Sequence, residues 1–410
     1  MSAAGLADAR RVLARCDELA AVTADPPRLT RLSLTPEHAR ANALAGRWLA
    51  EAGLSTWIDA AGSRCGRLEG VRPGLPAVLL GSHLDTVPDA GRYDGILGVV
   101  VAIEVVRRLA ASGRPLPFAV EVAAFGDEEG TRFGAALLGS RALAGTWDET
   151  WWELCDGDGV TLAAAFEAFG LDPARIATAA RAPGDLVAYL EAHIEQGPSL
   201  EAAGRALGVV GSIAGALRIA VTATGRAGHA GGTAYEHRRD ALVAASEVVV
   251  AAERLARETG GIATVGRLSV WPGAVNVIPG RVAFSLDLRA AADAVRDRLW
   301  SAIEACMAEV GERRGVTFAT TLLHAAPAVH CSDRLRAAVA AGIRGTGDAE
   351  PMVLFSGAGH DAMALAAVTE VAMLFIRCHD GISHQPAESV RLEDVAAAVD
   401  ALEAAVLALA

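Results

Sequence analysis

Two side chains that could bind a metal ion follow an apolar segment in the first quarter of the chain. Residues 77–80 (AVLL) predict a buried strand, and His83 and Asp94 come shortly after it. An imidazole nitrogen and a carboxylate oxygen together suit zinc or a similar divalent ion. Asp85, two residues after His83, is placed to orient the imidazole ring. The alternative interpretation of this stretch is a strand followed by an ordinary polar loop.

Three consecutive acidic residues follow the next apolar segment, residues 118–125. They are Asp127, Glu128 and Glu129. Adjacent carboxylates after a buried strand repel one another, and a nearby cation would relieve that repulsion. If one carboxylate binds metal, its neighbour stays free to act as a general base on water. We assign Glu129 as the ligand and Glu128 as the base; an exposed acidic turn is the alternative.

Two further histidines and a glutamine follow later strand-like segments. His193 and Gln196 come after residues 187–192, and His384 lies beyond residues 371–376. Because the carboxyl ends of neighbouring strands meet at one edge of an open α/β sheet, we expect these side chains to meet there too. A lone histidine at a strand end is commonly a structural residue, which is the competing interpretation of each.

The elements that must position these residues alternate between strands and helices, which predicts an α/β fold. A helix over residues 96–111 separates the first two strands. A further helix is expected over residues 172–180 and a strand over residues 262–270. From about residue 211 onwards, strands and long helices alternate without any acidic cluster. We therefore predict a catalytic domain in two parts with an α+β domain inserted between them. The predicted boundaries are 1–210 for the first part, 211–327 for the insertion and 328–410 for the second part.

The predicted insertion contains three polar residues that could bind a substrate. His229 lies among small residues, Asn276 lies in a turn-like segment, and Arg289 ends a predicted strand. Small residues let the backbone approach another surface closely. An arginine can hold a carboxylate by two parallel hydrogen bonds. Taken singly, each of the three also fits an ordinary surface or turn residue.

The composition excludes several classes of protein. The chain has 410 residues, is 52% hydrophobic and 21% charged, and carries a net charge of −12. These values are typical of a folded globular protein, and the acidic balance argues against nucleic acid or anionic lipid as a partner. Six cysteines without a CxxC pair argue against a thiolate metal site and a disulfide framework. We predict a cytoplasmic protein without a membrane span.

Several motifs resemble those of the di-zinc metallopeptidase and amidohydrolase superfamily, which includes aminoacylases and carboxypeptidase G. More narrowly, the chain resembles the branch that contains N-carbamoyl-L-amino-acid amidohydrolases and allantoate amidohydrolases. The resemblance extends over nearly the whole chain, with the segments in the expected order. The runs that carry it are EEGTRFG (128–134), LLGSRALAGT (137–146), HIEQG (193–197), AVNVIPG (274–280) and SGAGHDA (356–362).

The resemblance implies a di-zinc aminopeptidase-like catalytic domain with an inserted lid and dimerisation domain. It implies two bound divalent ions with Asp94 bridging them, zinc first, with manganese, cobalt or nickel as alternatives. Glu128 would be the base and Asp85 would support His83. The implied metal ligands are His83, Asp94, Glu129, His193 and His384. The implied substrate contacts are Gln196, His229, Asn276, Arg289, Gly357 and Gly359.

The implied reaction is hydrolysis of the ureido C–N bond of an N-carbamoyl-L-amino acid, which gives the L-amino acid, CO2 and NH3. In this interpretation His229 stabilises the oxyanion, while Arg289 and Asn276 bind the α-carboxylate. Allantoate amidohydrolysis is the alternative reaction. The runs HIEQG and TRFG disfavour an aminoacylase or dipeptidase. A metal-binding protein without catalysis is disfavoured because Glu128 and every implied ligand are present.

The resemblance also implies a partner and one unusual peptide bond. The predicted partner, besides a small ureido substrate that bears a carboxylate, is a second copy of the chain bound through the inserted domain. His229 would then act across the dimer interface. A cis peptide is implied after Asp94, although the next residue is not proline.

Overall fold

The strands that precede the predicted ligands are buried at every position except Val187 in a computed structural model that describes residues 3–410. In such strands, both faces must be apolar, as expected for the parallel centre of a sheet that has helices on its two sides. The strands are Ser55–Ile58 (β1), Arg64–Leu68 (β2), Ala77–His83 (β3), Ala119–Phe125 (β4), Leu186–Ile194 (β5), Leu207–Ile213 (β6), Gly215–Thr224 (β7), Gly228–His229 (β8), Ile262–Thr264 (β9), Leu268–Trp271 (β10), Val277–Ile278 (β11), Arg281–Ala290 (β12), Thr317–Ala326 (β13), Val329–His330 (β14), Met352–Ser356 (β15) and Val371–Ile376 (β16).

Three helices begin at a residue whose side chain caps the first turn, namely Thr35, Thr161 and Asp240. Thr35 accepts a hydrogen bond from the backbone N–H of His38, and Pro36 occupies the first helical position of the second helix. The helices are Ala3–Ala20 (α1), Pro36–Glu51 (α2), Ile96–Ser112 (α3), Leu138–Leu143 (α4), Leu162–Phe169 (α5), Ser199–Ala202 (α6), Ala241–Thr259 (α7), Asp293–Arg314 (α8), Asp333–Gly345 (α9), Asp361–Leu365 (α10) and Leu392–Leu407 (α11). None of these described helices is long and apolar enough to cross a membrane.

The chain divides into two compact units. Unit 1 contains residues 1–211, 331–354 and 359–410, and unit 2 contains residues 212–330 and 355–358. The assignment of the inserted segment as a lid and dimerisation domain stays a prediction.

Unit 1 is built on a mixed sheet with the order β1-β2-β4-β3-β5-β16-β6, and β15 also pairs with β6. The pairs β4/β3, β3/β5 and β5/β16 are parallel. The carboxyl ends of these four central strands therefore lie at one edge of the sheet. His83 is the last residue of β3, opposite Phe125 at the end of β4. His193 lies near the end of β5, opposite Phe375 of β16.

Unit 2 is built on an antiparallel five-stranded sheet with the order β10-β12-β7-β13, in which β9 also pairs with β12. Alternate residues of β12 are buried, which is the pattern of a sheet with one covered face. Buried residues of α7 and α8 form one core cluster with those of β7 and β12. A separate two-stranded ribbon pairs β8 with β11.

The structure differs from the sequence-based expectation in three elements and one peptide bond. Residues 172–180, expected as a helix, form the 3-10 helix Pro173–Ala179, whose buried Ile176 and Ala179 are three residues apart, as in a 3-10 turn. The strand expected over residues 262–270 is two strands, β9 and β10. The strand β13 was not predicted because it is exposed along most of its length and lacks an alternating apolar pattern. The peptide bond after Asp94 is trans, since the cis bonds of the described residues are Pro26–Pro27 and Trp271–Pro272.

Close packing of α3 against β5 depends on a glycine. A Cβ atom at Gly98 would lie 2.1 Å from the carbonyl oxygen of Ala192 and 2.9 Å from the Cβ of Ser82. We predict that Gly98→Ala lowers the free energy of unfolding by roughly 1–3 kcal/mol, because the helix must move away from the sheet. The urea unfolding midpoint, followed by circular dichroism, measures this. Gly345→Ala at the end of α9 is the control, since nothing lies within 4 Å of that Cβ; equal midpoints for the two variants would contradict the prediction.

Candidate metal and active site

The five predicted metal ligands of unit 1 meet at the carboxyl ends of β3, β4, β5 and β16. His83, Asp94 and His193 offer ligand atoms that all lie within 4.8 Å of one another, and so do Asp94, Glu129 and His384. Asp94 belongs to both groups. Nitrogen and oxygen donors in such groups fit divalent ions of the zinc type.

The two carboxylate oxygens of Asp94 face different groups of side chains. Its Oδ1 lies 3.1 Å from Nε2 of His193 and 3.8 Å from Nε2 of His83. Its Oδ2 lies 3.0 Å from Nε2 of His384, which in turn is 3.5 Å from Oε1 of Glu129. A carboxylate in this arrangement can give one oxygen to each of two neighbouring ions. The donor set therefore fits a pair of ions that share Asp94.

The tautomers of two histidines also fit metal binding. Nδ1 of His83 lies 3.0 Å from the backbone carbonyl of Asp85, and Nδ1 of His193 lies 2.9 Å from the carbonyl of Ile194. A carbonyl only accepts, so we infer that each Nδ1 carries a hydrogen. Nε2 is therefore the nitrogen that can give its lone pair to a metal ion, once an arriving ion displaces the proton that it shares with Asp94. Those Nε2 atoms are the ones that face Asp94.

Asp85 acts on the site in a way the sequence did not indicate. Its carboxylate oxygen is 3.7 Å from Nδ1 of His83, farther than its own backbone carbonyl. The same carboxylate accepts hydrogen bonds from the backbone N–H groups of Glu128 and Glu129, at 3.1 and 3.2 Å. Asp85 therefore orients His83 through its main chain and fixes the Glu128–Glu129 turn through its side chain.

The electrostatics of the site favour the arrival of positive charge. Burial, followed by the negative charge of Glu129, raises the pKa of Glu128 well above its usual value. Burial and the charge of Asp94 raise the pKa of Glu129 to about 8. Burial acts in the same direction on Asp94, but hydrogen bonds with His193 and His384 outweigh it and hold the pKa of Asp94 well below its usual value. Cations beside these carboxylates would offset both burial and repulsion.

The predicted base and two predicted substrate contacts also lie at this cluster. Glu128 Oε2 is 3.9 Å from Nε2 of His83, and with His83 and Glu129 it forms a further group of possible ligands. Gly359 lies beside the base, because a Cβ there would be 4.0 Å from Glu128 Oε1. Gln196 donates a 2.8 Å hydrogen bond from Nε2 to Asp94 Oδ2.

The other predicted substrate contacts lie in unit 2, in two places. His229 on β8 is paired with Val277 on β11, and the backbone carbonyl of Asn276 accepts a hydrogen bond from the N–H of Ala230. Elsewhere, Nη1 of Arg289 donates a 2.6 Å hydrogen bond to the carbonyl of Gly357. Within unit 2, His229 therefore lies beside Asn276, and Arg289 lies beside Gly357.

Sequence reasoning missed several residues that surround Asp94 and His193. The hydroxyl of Ser383 donates a 2.7 Å hydrogen bond to Asp94 Oδ2. Oε1 of Glu388 accepts hydrogen bonds from the backbone N–H groups of Tyr93 and Asp94. Both residues stand in the segment around His384, so their position in the chain was the available signal. Behind His193, the acid Glu191 was recognisable as a charge inside an apolar strand. It forms a buried group with His193 and His360.

An α/β unit with a buried His/Asp/Glu cluster and a glutamate beside it is typical of hydrolases that use bound metal ions. Residues 79–408 match the family described as "Peptidase family M20/M25/M40", and the chain belongs to that family. This confirms the resemblance found in the sequence.

Individual relatives cover nearly all of the chain. It is 44% identical to the N-carbamoyl-L-amino acid amidohydrolase of Geobacillus stearothermophilus, over 91% of either chain. It is 41% identical to the probable allantoate deiminase of Oryza sativa subsp. japonica, over 94% of this chain and 85% of the relative. The crystal structure of an amidase of the hydantoinase/carbamoylase family from Burkholderia multivorans superposes with a TM-score of 0.91, at 34% identity and 98% coverage of both chains.

Gly95 permits the close approach of the main chain to His83. Its φ is +66°, and a Cβ there would lie 2.3 Å from Nε2 of the His83 ring. We predict that Gly95→Ala weakens Zn2+ binding at least about tenfold, the loss typical when the support of a ligand is disturbed. Titration calorimetry of the metal-free protein with Zn2+ measures this.

Gly113→Ala at the other end of α3 is the control for an alanine placed at positive φ. Gly113 has nearly the same φ, +62°, but nothing lies within 4 Å of a Cβ there. Both variants place an alanine at positive φ, with ψ of −50° at Gly95 and 9° at Gly113, and only Gly95→Ala brings a Cβ against the His83 ring. Equal Zn2+ affinities in the two variants would show that the His83 contact has no effect.

Proposed function

We propose that the protein is a metal-dependent amidohydrolase that cleaves the ureido C–N bond of N-carbamoyl-L-amino acids. The observation that carries the proposal is the sorting of five donors into two groups that share Asp94, with Glu128 beside them. The relative from Geobacillus stearothermophilus, which bears the name of this activity, supports the same substrate class.

Two divalent ions would be held by His83, His193, Glu129 and His384, with Asp94 between them. Zinc is the first candidate, and manganese, cobalt and nickel also suit nitrogen and oxygen donors. When bound, the ions would make water more acidic and would polarise the carbamoyl carbonyl.

Glu128 moves the proton in this mechanism. Its carboxylate takes a proton from water, and the water oxygen attacks the carbamoyl carbon. The same carboxyl group then gives the proton to the α-nitrogen as the C–N bond breaks, which frees the L-amino acid. The remaining carbamate separates into CO2 and NH3. One water is consumed, and the base returns to its starting state.

His229 is suited to stabilise the oxygen of the tetrahedral intermediate. Its Nδ1 accepts a 3.0 Å hydrogen bond from the backbone N–H of Gly232, so Nε2 carries the hydrogen in the neutral ring. A donor of this kind contributes roughly 3–4 kcal/mol to the transition state in other acyl-transfer enzymes. We propose that Asn276 and Arg289 bind the α-carboxylate, and that Gln196, Gly357 and Gly359 complete the substrate contacts.

Allantoate amidohydrolysis is the second candidate, favoured by the 41% identity to the probable allantoate deiminase. Allantoate also carries a carboxylate next to ureido groups, so the same residues would serve. Side-by-side kcat/KM values for allantoate and a panel of N-carbamoyl-L-amino acids decide between the two reactions.

We further propose a homodimer formed through unit 2, with His229 acting on the partner's substrate. The strand β13 supports this, since it lies at one edge of its sheet and exposes Leu322 and Leu323 at 59% and 57%. A monomer in sedimentation analysis, or full activity in a monomeric variant, would contradict it. A cytoplasmic location also stays a prediction, supported by six free thiols in the described residues.

Glu128→Gln is predicted to lower kcat by at least about 10²–10⁴-fold, because the amide cannot accept a proton from water. The bound metal, measured by atomic emission, should equal that of the wild type, which separates a base from a ligand. Glu167→Gln, an exposed residue of α5, is the matched control and should retain the wild-type kcat. A rate within tenfold of the wild type for Glu128→Gln refutes the assignment.

A further inference from the structure

The guanidinium of Arg289 is held on two sides by groups of its own unit. Its Nε and Nη2 donate to Oδ1 and Oδ2 of Asp287, at 2.7 and 3.1 Å. Its Nη1 donates to the carbonyl of Gly357. An arginine has five N–H groups, so these bonds leave one N–H on each terminal nitrogen. Two such groups match the two oxygens of a carboxylate.

We propose that Asp287 is a positioning residue that fixes Arg289 for binding the substrate's α-carboxylate. The inference rests on the proposed function, in which Arg289 makes that contact. Asp287 and Arg289 are two residues apart on β12 and therefore project from the same face of the sheet. The paired oxygens of Asp287 set the plane of the guanidinium, which a single acceptor could not do.

The surroundings of Asp287 hold it in place. It lies on a strand with neighbours on both sides, opposite Arg218 of β7 and Thr264 of β9. Nε of Arg218 donates to Asp287 Oδ2 at 3.1 Å. The carboxylate thus lies between two arginines, and its loss would leave two like charges to repel each other.

There is room for a ligand beside this group. Arg289, Asp287 and Gly357 line a cavity of about 600 Å3 within unit 2, together with Arg218, Arg267 and Ile262. The side chains of Arg289 and Asp287 are 31% and 27% exposed, so the pair is partly shielded from water. Partial shielding strengthens a charged contact relative to one on the open surface.

The test compares Asp287→Asn with the wild type in the full-length, metal-loaded protein. Asparagine keeps the size but offers one acceptor and places an N–H group opposite Arg289. We expect KM for an N-carbamoyl-L-amino acid to rise at least tenfold, with kcat within threefold. The preference for this substrate over its carboxamide, in which the carboxylate is absent, should shrink by the same factor. Asp287→Glu should recover part of the loss.

Three further variants, one of them a double variant, separate a positioning role from a structural one. Arg289→Met should raise KM at least as much, and adding Asp287→Asn to it should have no further effect, because the two residues act as one unit. Glu253→Gln is the matched control, since Glu253 accepts two hydrogen bonds from Arg257 on the surface of α7 in the same unit. It should leave KM unchanged.

The outcomes distinguish the role of Asp287 from the proposed function itself. A raised KM in Arg289→Met with a wild-type KM in Asp287→Asn overturns the role of Asp287 and leaves the proposed function standing. A wild-type KM in Arg289→Met overturns the carboxylate contact of the proposed function itself. Equal losses by Asp287→Asn on the acid and the carboxamide, with a lowered melting temperature, would show a structural role and overturn the inference.

Discussion

The site depends on one buried carboxylate, that of Asp94, which faces two sets of donors at once. Its Oδ1 lies by His193 and its Oδ2 by His384, so neither set can move without changing the other. The backbone around Asp94 is fixed as well, because the carboxylate of Glu388 accepts hydrogen bonds from the N–H groups of both Tyr93 and Asp94. Main-chain hydrogen bonds would therefore fix the position of Asp94 beside any bound metal ion.

The sheet of unit 1 supplies the rigidity that this arrangement requires. β3, β4 and β16 are buried along their whole length, and the loops after the strands carry the chemistry. Several loop residues adopt positive φ although they are not glycine, among them Asp127, Gln196 and His384, at 62°, 56° and 59°. Such conformations cost of order 1–3 kcal/mol each and persist only where the surroundings impose them. Three of these residues lie at the site or next to it. We infer that the packing of the buried strands offsets the conformational free energy of the loops that hold the ligand side chains.

Much of the site could be predicted from the sequence because its residues follow apolar strands directly. His83 and Glu129 stand next to strong strand signals, and the resemblance placed the rest. The roles of supporting groups could not be predicted in this way. Asp85 is close to His83 in the chain, yet its carboxylate holds the backbone of Glu128 and Glu129, more than forty residues away. The edge strand β13 was missed because half-exposed residues leave no alternating pattern. Long-range hydrogen bonds and edge strands are properties of the assembled fold.

The two adjacent glutamates, for which we propose different roles, have different surroundings. Glu129 Oε1 lies 3.5 Å from Nε2 of His384, and Glu129 forms a group of possible ligands with Asp94 and His384. Glu128 faces His83 and the main chain at Gly359. Both receive backbone support from the same carboxylate, Asp85. Because consecutive residues of one turn point in different directions, a single fixed turn can supply a ligand to one ion and leave its neighbour free to carry a proton.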